Sequence, residues 1–252
     1  MHQHRDNING FTLVELMISM TFVSMLLIVI AFTAIQIINI YNKGLTMNRV
    51  AQAARSVSAD FHRTLRESGT LDLGKSTFLC YQTITNSCLP DARDPRVVGG
   101  RLCTGVYSYI WNYNKKNASG IIQRVNTYSS GPSNIRFVRV EDNGGNYCAR
   151  PDLRINPGVK DDILSDTGGL TLLSFDIQDK SIDLSSPQAS KVASLYHIVM
   201  EVGTDDSDAI TSNSFNDASC KAPSGDGEGL RYFCAVNRID FTVLAGNNGG
   251  SI

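Results

Sequence analysis

An α+β fold is what this 252-residue sequence predicts: one long N-terminal helix followed by an antiparallel, strand-rich domain. Three observations carry that expectation. A run without charge extends from Leu16 to Asn42 and then gives way to an amphipathic pattern at helical spacing. Beyond Gly69 the periodicity changes to two-residue alternation, broken by turn-forming clusters. All six cysteines (Cys80, Cys88, Cys103, Cys148, Cys220, Cys234) lie in that alternating part, and none lies in or before the apolar run.

The helix comes first. A bilayer hydrocarbon core of ~30 Å takes about 20 apolar residues in a helix, so residues 11–42 are long enough to span it. A secretory signal would have an apolar region of only roughly 7–15 residues and a small-x-small cleavage site after it; this run is longer and continues as helix. After Gly44, apolar residues recur three or four apart at Val50, Ala54, Val57, Phe61 and Leu65, while Arg49, Arg55, Asp60, Arg63 and Arg66 take the other faces. Ser68-Gly69 supplies a stop. One helix over 11–68 would run for about 85 Å at ~1.5 Å per residue. Its first half, to residue 42, suits lipid or other helices; its second half, 43–69, suits the core of the domain at 70–252.

Glu15 is the misfit. A carboxylate in a spanning helix costs roughly 2.5–3.5 kcal/mol at mid-membrane and less near the surface. Such a group calls for a partner, and the segment has no internal cation: Arg5 is too distant for helical pairing and Lys43 lies at the far end. Cleavage after Gly10 would create one, because Phe11 would then carry a free α-amino group with a pKa of about 7.7–8. A neighbouring subunit displaced along the helix would present that cation to Glu15, so the acid would set the register between subunits.

A short polar leader ending in Gly10, then Phe11-Thr12-Leu13-Val14-Glu15-Leu16-Met17 and an unbroken apolar helix, resembles the class III signal of type IV prepilins and type II secretion pseudopilins. The resemblance implies cleavage between Gly10 and Phe11 by the prepilin peptidase, N-methylation of Phe11, and pairing of Glu15 with a neighbour's N-terminus during filament assembly. It implies a type IV pilin-like fold, the long helix packed against an antiparallel sheet. It also divides the chain into a cleaved leader (1–10), a transmembrane half-helix (11–42), an amphipathic half-helix (43–69) and an extracytoplasmic domain (70–252). Phe32 stands where many major pilins carry a helix proline, and the strand-rich part is large. In both respects the chain looks more like a minor subunit, the W-type minor pilin or the J-type pseudopilin. The function so implied is that of a minor pilin, priming assembly or sitting at or near the tip. The alternatives are a minor pseudopilin and, from another class, a filament-displayed adhesin or DNA-binding receptor. The expected partners are other pilins or pseudopilins through the N-terminal helix, the prepilin peptidase and an inner-membrane assembly platform. The expected location is the bacterial inner membrane, single pass, then a surface pilus or periplasmic pseudopilus. Lys43 beside the span runs against a simple positive-inside pattern, so this topology rests on the resemblance and the cysteines.

The strands come in the order "TFLCYQ" (77–82), "GVYSYIWNY" (105–113), "IRFVRV" (135–140), "LTLLSFDIQ" (170–178), "LYHIVMEV" (195–202) and "RYFCAVNRIDFTVL" (231–244). Turn clusters such as "DNGGN", "DTGG" and "GTDDSD" separate them, giving one antiparallel sheet with long loops. Cysteines confined to the part beyond a membrane-entering segment indicate an oxidising compartment and disulfide staples, free buried thiols being the other reading. Six cysteines allow 15 pairings. C-terminal loops of pilins favour Cys220–Cys234; Cys80–Cys88 would tie a short excursion, leaving Cys103 with Cys148.

Little else points to chemistry. His2 and His4 fall in the leader, and His62 and His197 lie apart without an HExxH pair. There is no CxxC spacing, GxSxG elbow, P-loop or SxxK, so neither an enzyme nor a bound cofactor is expected. Asp205, Asp206 and Asp208 supply oxygens suited to calcium, which some pseudopilins bind, but lack the spacing of a calcium loop; a solvated turn explains them equally well. Lys115-Lys116 beside Trp111 and Tyr113, with Arg124, Arg136 and Arg139, have the composition of a nucleic-acid patch. Alternating solvent-facing strand residues give the same composition and are the preferred reading.

Overall fold

A computed structural model of the protein describes residues 11–69, 71, 73, 77–80, 97–113, 115–116, 119–129, 135–142, 144–150, 152–156, 160–164, 169–180, 194–206, 208–211, 218–221 and 233–246. The chain forms two units, Met1–Asn42 and Lys43–Ile252. Helix α1, Leu13–Glu67, begins in the first and ends in the second. It stops where the sequence places the stop: Ser68 Oγ turns back to donate to the carbonyl of Leu65 at 2.9 Å, and its amide donates to Thr64 at 3.0 Å.

In the second unit the amphipathic stripe is buried as its spacing demands. Val50, Ala54, Val57, Phe61 and Leu65 all lie in the core. The described residues of this unit also form ten strands: β1 (Thr77–Cys80), β2 (Val97–Cys103), β3 (Tyr107–Asn112), β4 (Phe137–Glu141), β5 (Lys160–Asp162), β6 (Leu170–Asp179), β7 (Ser194–Thr204), β8 (Ile210–Thr211), β9 (Ser219–Cys220) and β10 (Val236–Ala245), with a one-turn helix α2 (Asn146–Ala149) between β4 and β5.

The single sheet expected from the alternation is not what forms. The described strands make a five-stranded sheet in the order β1-β2-β3-β4-β5, a three-stranded sheet β10-β7-β6 and a two-stranded ribbon β8-β9, all antiparallel. The physical reason lies in Phe61. Its ring stacks on Tyr109 of β3 at 4.2 Å between centroids and on Phe175 of β6 at 5.8 Å, so one helix residue bridges both sheets. A single stripe with large residues can serve two sheet faces because each offers aromatic side chains to it.

The five-stranded sheet is also covered on its other face, which two-residue alternation alone does not foresee. Ile110, Val138 and Val140 pack there with Ile135 and Ile155. Between these layers Asn112 and Asn126 replace missing backbone partners. Asn112 accepts from the amides of Val125 (2.9 Å) and Asn126 (3.1 Å) and donates to the carbonyls of Asn126 and Ile135. Arg101, 1 % exposed, donates to Asn126 Oδ1 (2.8 Å) and to the carbonyls of Tyr147, Arg150 and Leu153 (2.9, 3.1 and 2.9 Å). Burial lowers the Arg101 pKa to about 10, leaving it charged at neutral pH. Its donors are met by neutral oxygens, which makes burial of the cation tolerable.

Two disulfides fasten the surface segments: Cys103–Cys148 ties β2 to α2, and Cys220–Cys234 ties β9 to the approach of β10. The side chains of the third pairing considered, Cys80–Cys88, lie outside the described residues.

Candidate functional site

The sequence singles out the start of α1, and the structure gives that region a local explanation. Gly10 lies outside the described residues; Phe11 is 83 % exposed. Thr12 is the N-cap, and Thr12-Leu13-Val14-Glu15 forms a capping box. The Glu15 amide donates to Thr12 Oγ1 (3.3 Å), while Glu15 Oε2 accepts from the Thr12 amide (3.0 Å) and hydroxyl (2.9 Å). Within the chain the Glu15 carboxylate thus has two donors, both neutral and both from Thr12. The signal, a Thr-x-x-Glu spacing ahead of an apolar run, was present in the sequence. Its carboxylate also stands where the helix dipole favours negative charge.

From Leu13 to Tyr41 the large apolar side chains are exposed all round the helix, and the segment is long and apolar enough to cross a membrane. The hydroxyls on it are not left bare. Ser19, Thr21, Ser24 and Thr33 donate to the carbonyls of Leu16, Ile18, Met20 and Ile30 at 2.8–2.9 Å. Each of these hydroxyls, costly if bare in hydrocarbon, is thereby satisfied within its own turn.

At the other end, α1 is held to the five-stranded sheet by one carboxylate. Asp60 accepts from Tyr109 Oη at 2.8 Å and forms an ion pair with Arg139, whose other nitrogen reaches Asp161 at 2.6 Å. Arg139 also lies 4.9 Å from the Tyr107 ring centroid. Burial raises the Tyr109 pKa, so its phenol remains the donor. The amphipathic pattern places Asp60 among the polar faces; that it clamps the sheet is visible only once β3 and β4 are brought together.

Compared with protein-family models, curated proteins and solved structures, the chain has no match.

The remaining candidates disperse. Asp205 pairs with Arg136, Asp208 pairs with Lys116 at 2.7 Å, and Asp206 accepts from the Asp208 amide at 2.9 Å. Cations engage Asp205 and Asp208, and a turn amide engages Asp206. Among the described residues no group of three or more His, Cys, Asp or Glu is arranged to hold a metal ion. Burial raises the Asp205 pKa, opposed by Arg136; Lys116 lowers that of Asp208. The aromatic–basic patch does not form either. Trp111 and Tyr113 are buried, while Lys116, Arg136 and Arg139 are paired with acids. Lys115 donates to the Val97 carbonyl at 3.0 Å. His62 packs its ring on Phe241, and His197 pairs with Asp240 across β7 and β10 at 2.6 Å.

Proposed function

We propose that this chain is a minor pilin: a membrane-held subunit trimmed between Gly10 and Phe11 by a prepilin peptidase and incorporated into a type IV pilus, priming assembly or standing at or near the tip. The observation that carries the reading is the Gly10-Phe11…Glu15 signal placed directly ahead of an exposed, membrane-length apolar helix. The far half of that helix adds support, being built into a disulfide-stapled β-rich unit. Trimming leaves the Thr12 amide intact, so the capping box would persist in the mature subunit and would hold Glu15 until a neighbour's amino group competes for it. Placement in a pilus, partners among other pilins, and an extracytoplasmic location for the second unit belong to the same proposal. The adhesin or DNA-receptor reading has less support, because the aromatics it would use are buried.

Intact mass and N-terminal sequencing of the membrane-extracted protein test the trimming. The expected mature chain begins at Phe11, N-methylated; replacing Gly10 by a bulkier residue should leave the leader attached. Glu15→Ala should spare membrane insertion and sharply reduce incorporation into filaments. Thr12→Ala, which removes the capping hydroxyl and keeps the carboxylate, separates the two roles of Glu15. Filaments that still contain the untrimmed chain would defeat the proposal.

A further inference from the structure

β10 forms one border of the three-stranded sheet. It pairs with β7 along its whole length without a register shift, and the Thr204 amide donates to the Ala235 carbonyl at 3.0 Å. Antiparallel ladder bonds join residues directly opposite each other and involve every second residue of a strand. The odd-numbered residues of β10 therefore bond to β7. The even-numbered ones, Val236, Arg238, Asp240, Thr242 and Leu244, aim their N–H and C=O groups outward. One residue further on, Gly246 turns its amide the same way and donates to the Ser68 carbonyl at 3.0 Å. Among the described residues no hydrogen bond engages the outward backbone groups of Val236 to Leu244. Sheet borders are ordinarily blunted by proline, lysine or a bulge, and β10 has none of these. Its two charged side chains, Arg238 and Asp240, lie 3.9 Å apart and offset each other.

α1 flanks β10 on one face. His62 lies 5.0 Å from the Phe241 ring, and Ile239 and Phe241 are only partly buried. Arg55 and Arg66 stand seven residues before and four after His62, so the three share one side of the helix. Both arginines are exposed, and neither makes an ion pair among the described residues.

We propose that the outer border of β10 accepts an extended acidic segment of another protein as a further strand. Its carboxylates would reach Arg55 and Arg66, and its apolar side chains would lie over Ile239, Phe241 and His62. Backbone pairing supplies the attachment and the alternate side chains supply the selectivity. Acid is selected because the guanidinium fork matches a carboxylate and both forks are otherwise unmatched. The two arginines are separated by about 16 Å of helix rise, within reach of acids roughly four to six residues apart on one face of a strand. A second copy suits the border less well, since joining two β10 strands would set one basic flank against the other.

The test is amide exchange by NMR on the full-length protein in detergent, with a capped nine-residue peptide as probe. The peptide has threonine at each odd position, glutamate at the two outer even positions and valine at the two inner ones. It reads alike in either direction, so parallel and antiparallel pairing are both sampled. Without peptide, the amides of Arg238, Asp240, Thr242 and Leu244 should exchange about tenfold or more faster than those of Ile239, Phe241 and Val243. Saturating peptide should slow the first group about tenfold. A lysine-for-glutamate peptide should bind about tenfold more weakly, and Arg55→Gln and Arg66→Gln should each shrink that gap about threefold. Even-numbered amides that are already slow would mean a closed border and overturn the proposal. So would a glutamate peptide that protects nothing, equal binding of the two peptides, or variants that keep the full gap. A fully N-methylated peptide that binds as well as the first would rule out strand pairing. Protection that rises with protein concentration alone would put a second copy on the border and overturn the assignment of another protein.

Discussion

Gly100 shows how much a single backbone position decides in this molecule. A Cβ there would run into the indole ring of Trp111, and one at Gly99 would lie 2.5 Å from the Trp111 carbonyl oxygen. Val97-Val98-Gly99-Gly100 opens β2, and the absence of side chains at the two glycines lets Trp111 lie against the strand. Gly100→Ala should therefore cost about 1–3 kcal/mol, the usual range for overpacking a filled interior. Thermal melts of the full chain in detergent would register it, and a variant melting like the parent would contradict the packing described. Asp205 gives a pH-dependent counterpart. Its pKa is raised in the fold by burial, so the ionised form is the less favoured one there. Its contribution to stability is accordingly fullest below the ordinary aspartate value and is lost as pH rises through the elevated folded value. Arg136 holds that elevation down, so Arg136→Met should move the Asp205 titration midpoint further up, as read by carboxyl NMR.

At the scale of elements, α1 was the most legible part of the chain. The spacing of Val50, Ala54, Val57, Phe61 and Leu65 states which face is buried, and each of the five lies in the core. β3, β4, β6, β7 and β10 were also readable, because β-branched and aromatic residues cluster in them between turn signals. β2 was hidden by its glycines, and β5, a Lys-Asp-Asp segment, by charge. Neither has the composition of a strand; both are recruited by backbone pairing with neighbours that do. The division into two sheets was not legible, since periodicity reports which face of a strand is apolar and says nothing of which strands share a ladder. Phe61 is where the division matters most. Phe61→Ala should destabilise by about 3–5 kcal/mol, more than Val57→Ala, because it withdraws contacts from both sheets at once. Denaturant titration of the full chain measures this; a loss under about 1 kcal/mol would mean that the ring is not the hub its position implies.

At the scale of the whole molecule, two kinds of fastening hold the second unit. The covalent ones close loops of 14 and 45 residues. On chain-entropy grounds each should contribute about 3–4 kcal/mol, the longer loop slightly more, so the melting temperature should fall in two separable increments when the pairs are removed one at a time by serine. The polar ones divide by chemistry. Of the N-terminal region, the sequence disclosed the Phe11–Glu15 signal and the length of the apolar run, because those are properties of residue order alone. The Asp60–Arg139 clamp and the Arg101 cage were closed to it, because their partners lie 79 and from 25 to 52 residues away along the chain.

The chemistry of that cage reaches further than its place in the interior. Arg101 leans wholly on carbonyl and amide oxygens, which take up no proton in any ordinary solvent, whereas α1 is fastened through a carboxylate. Strong acid should therefore peel the helix side first and leave the Asn112–Asn126–Arg101 layer shut. Amide exchange tracked down a pH series would show protection vanishing around Asp60 while it endures at Asn126, and simultaneous loss at both places would deny the sheet an acid-proof side.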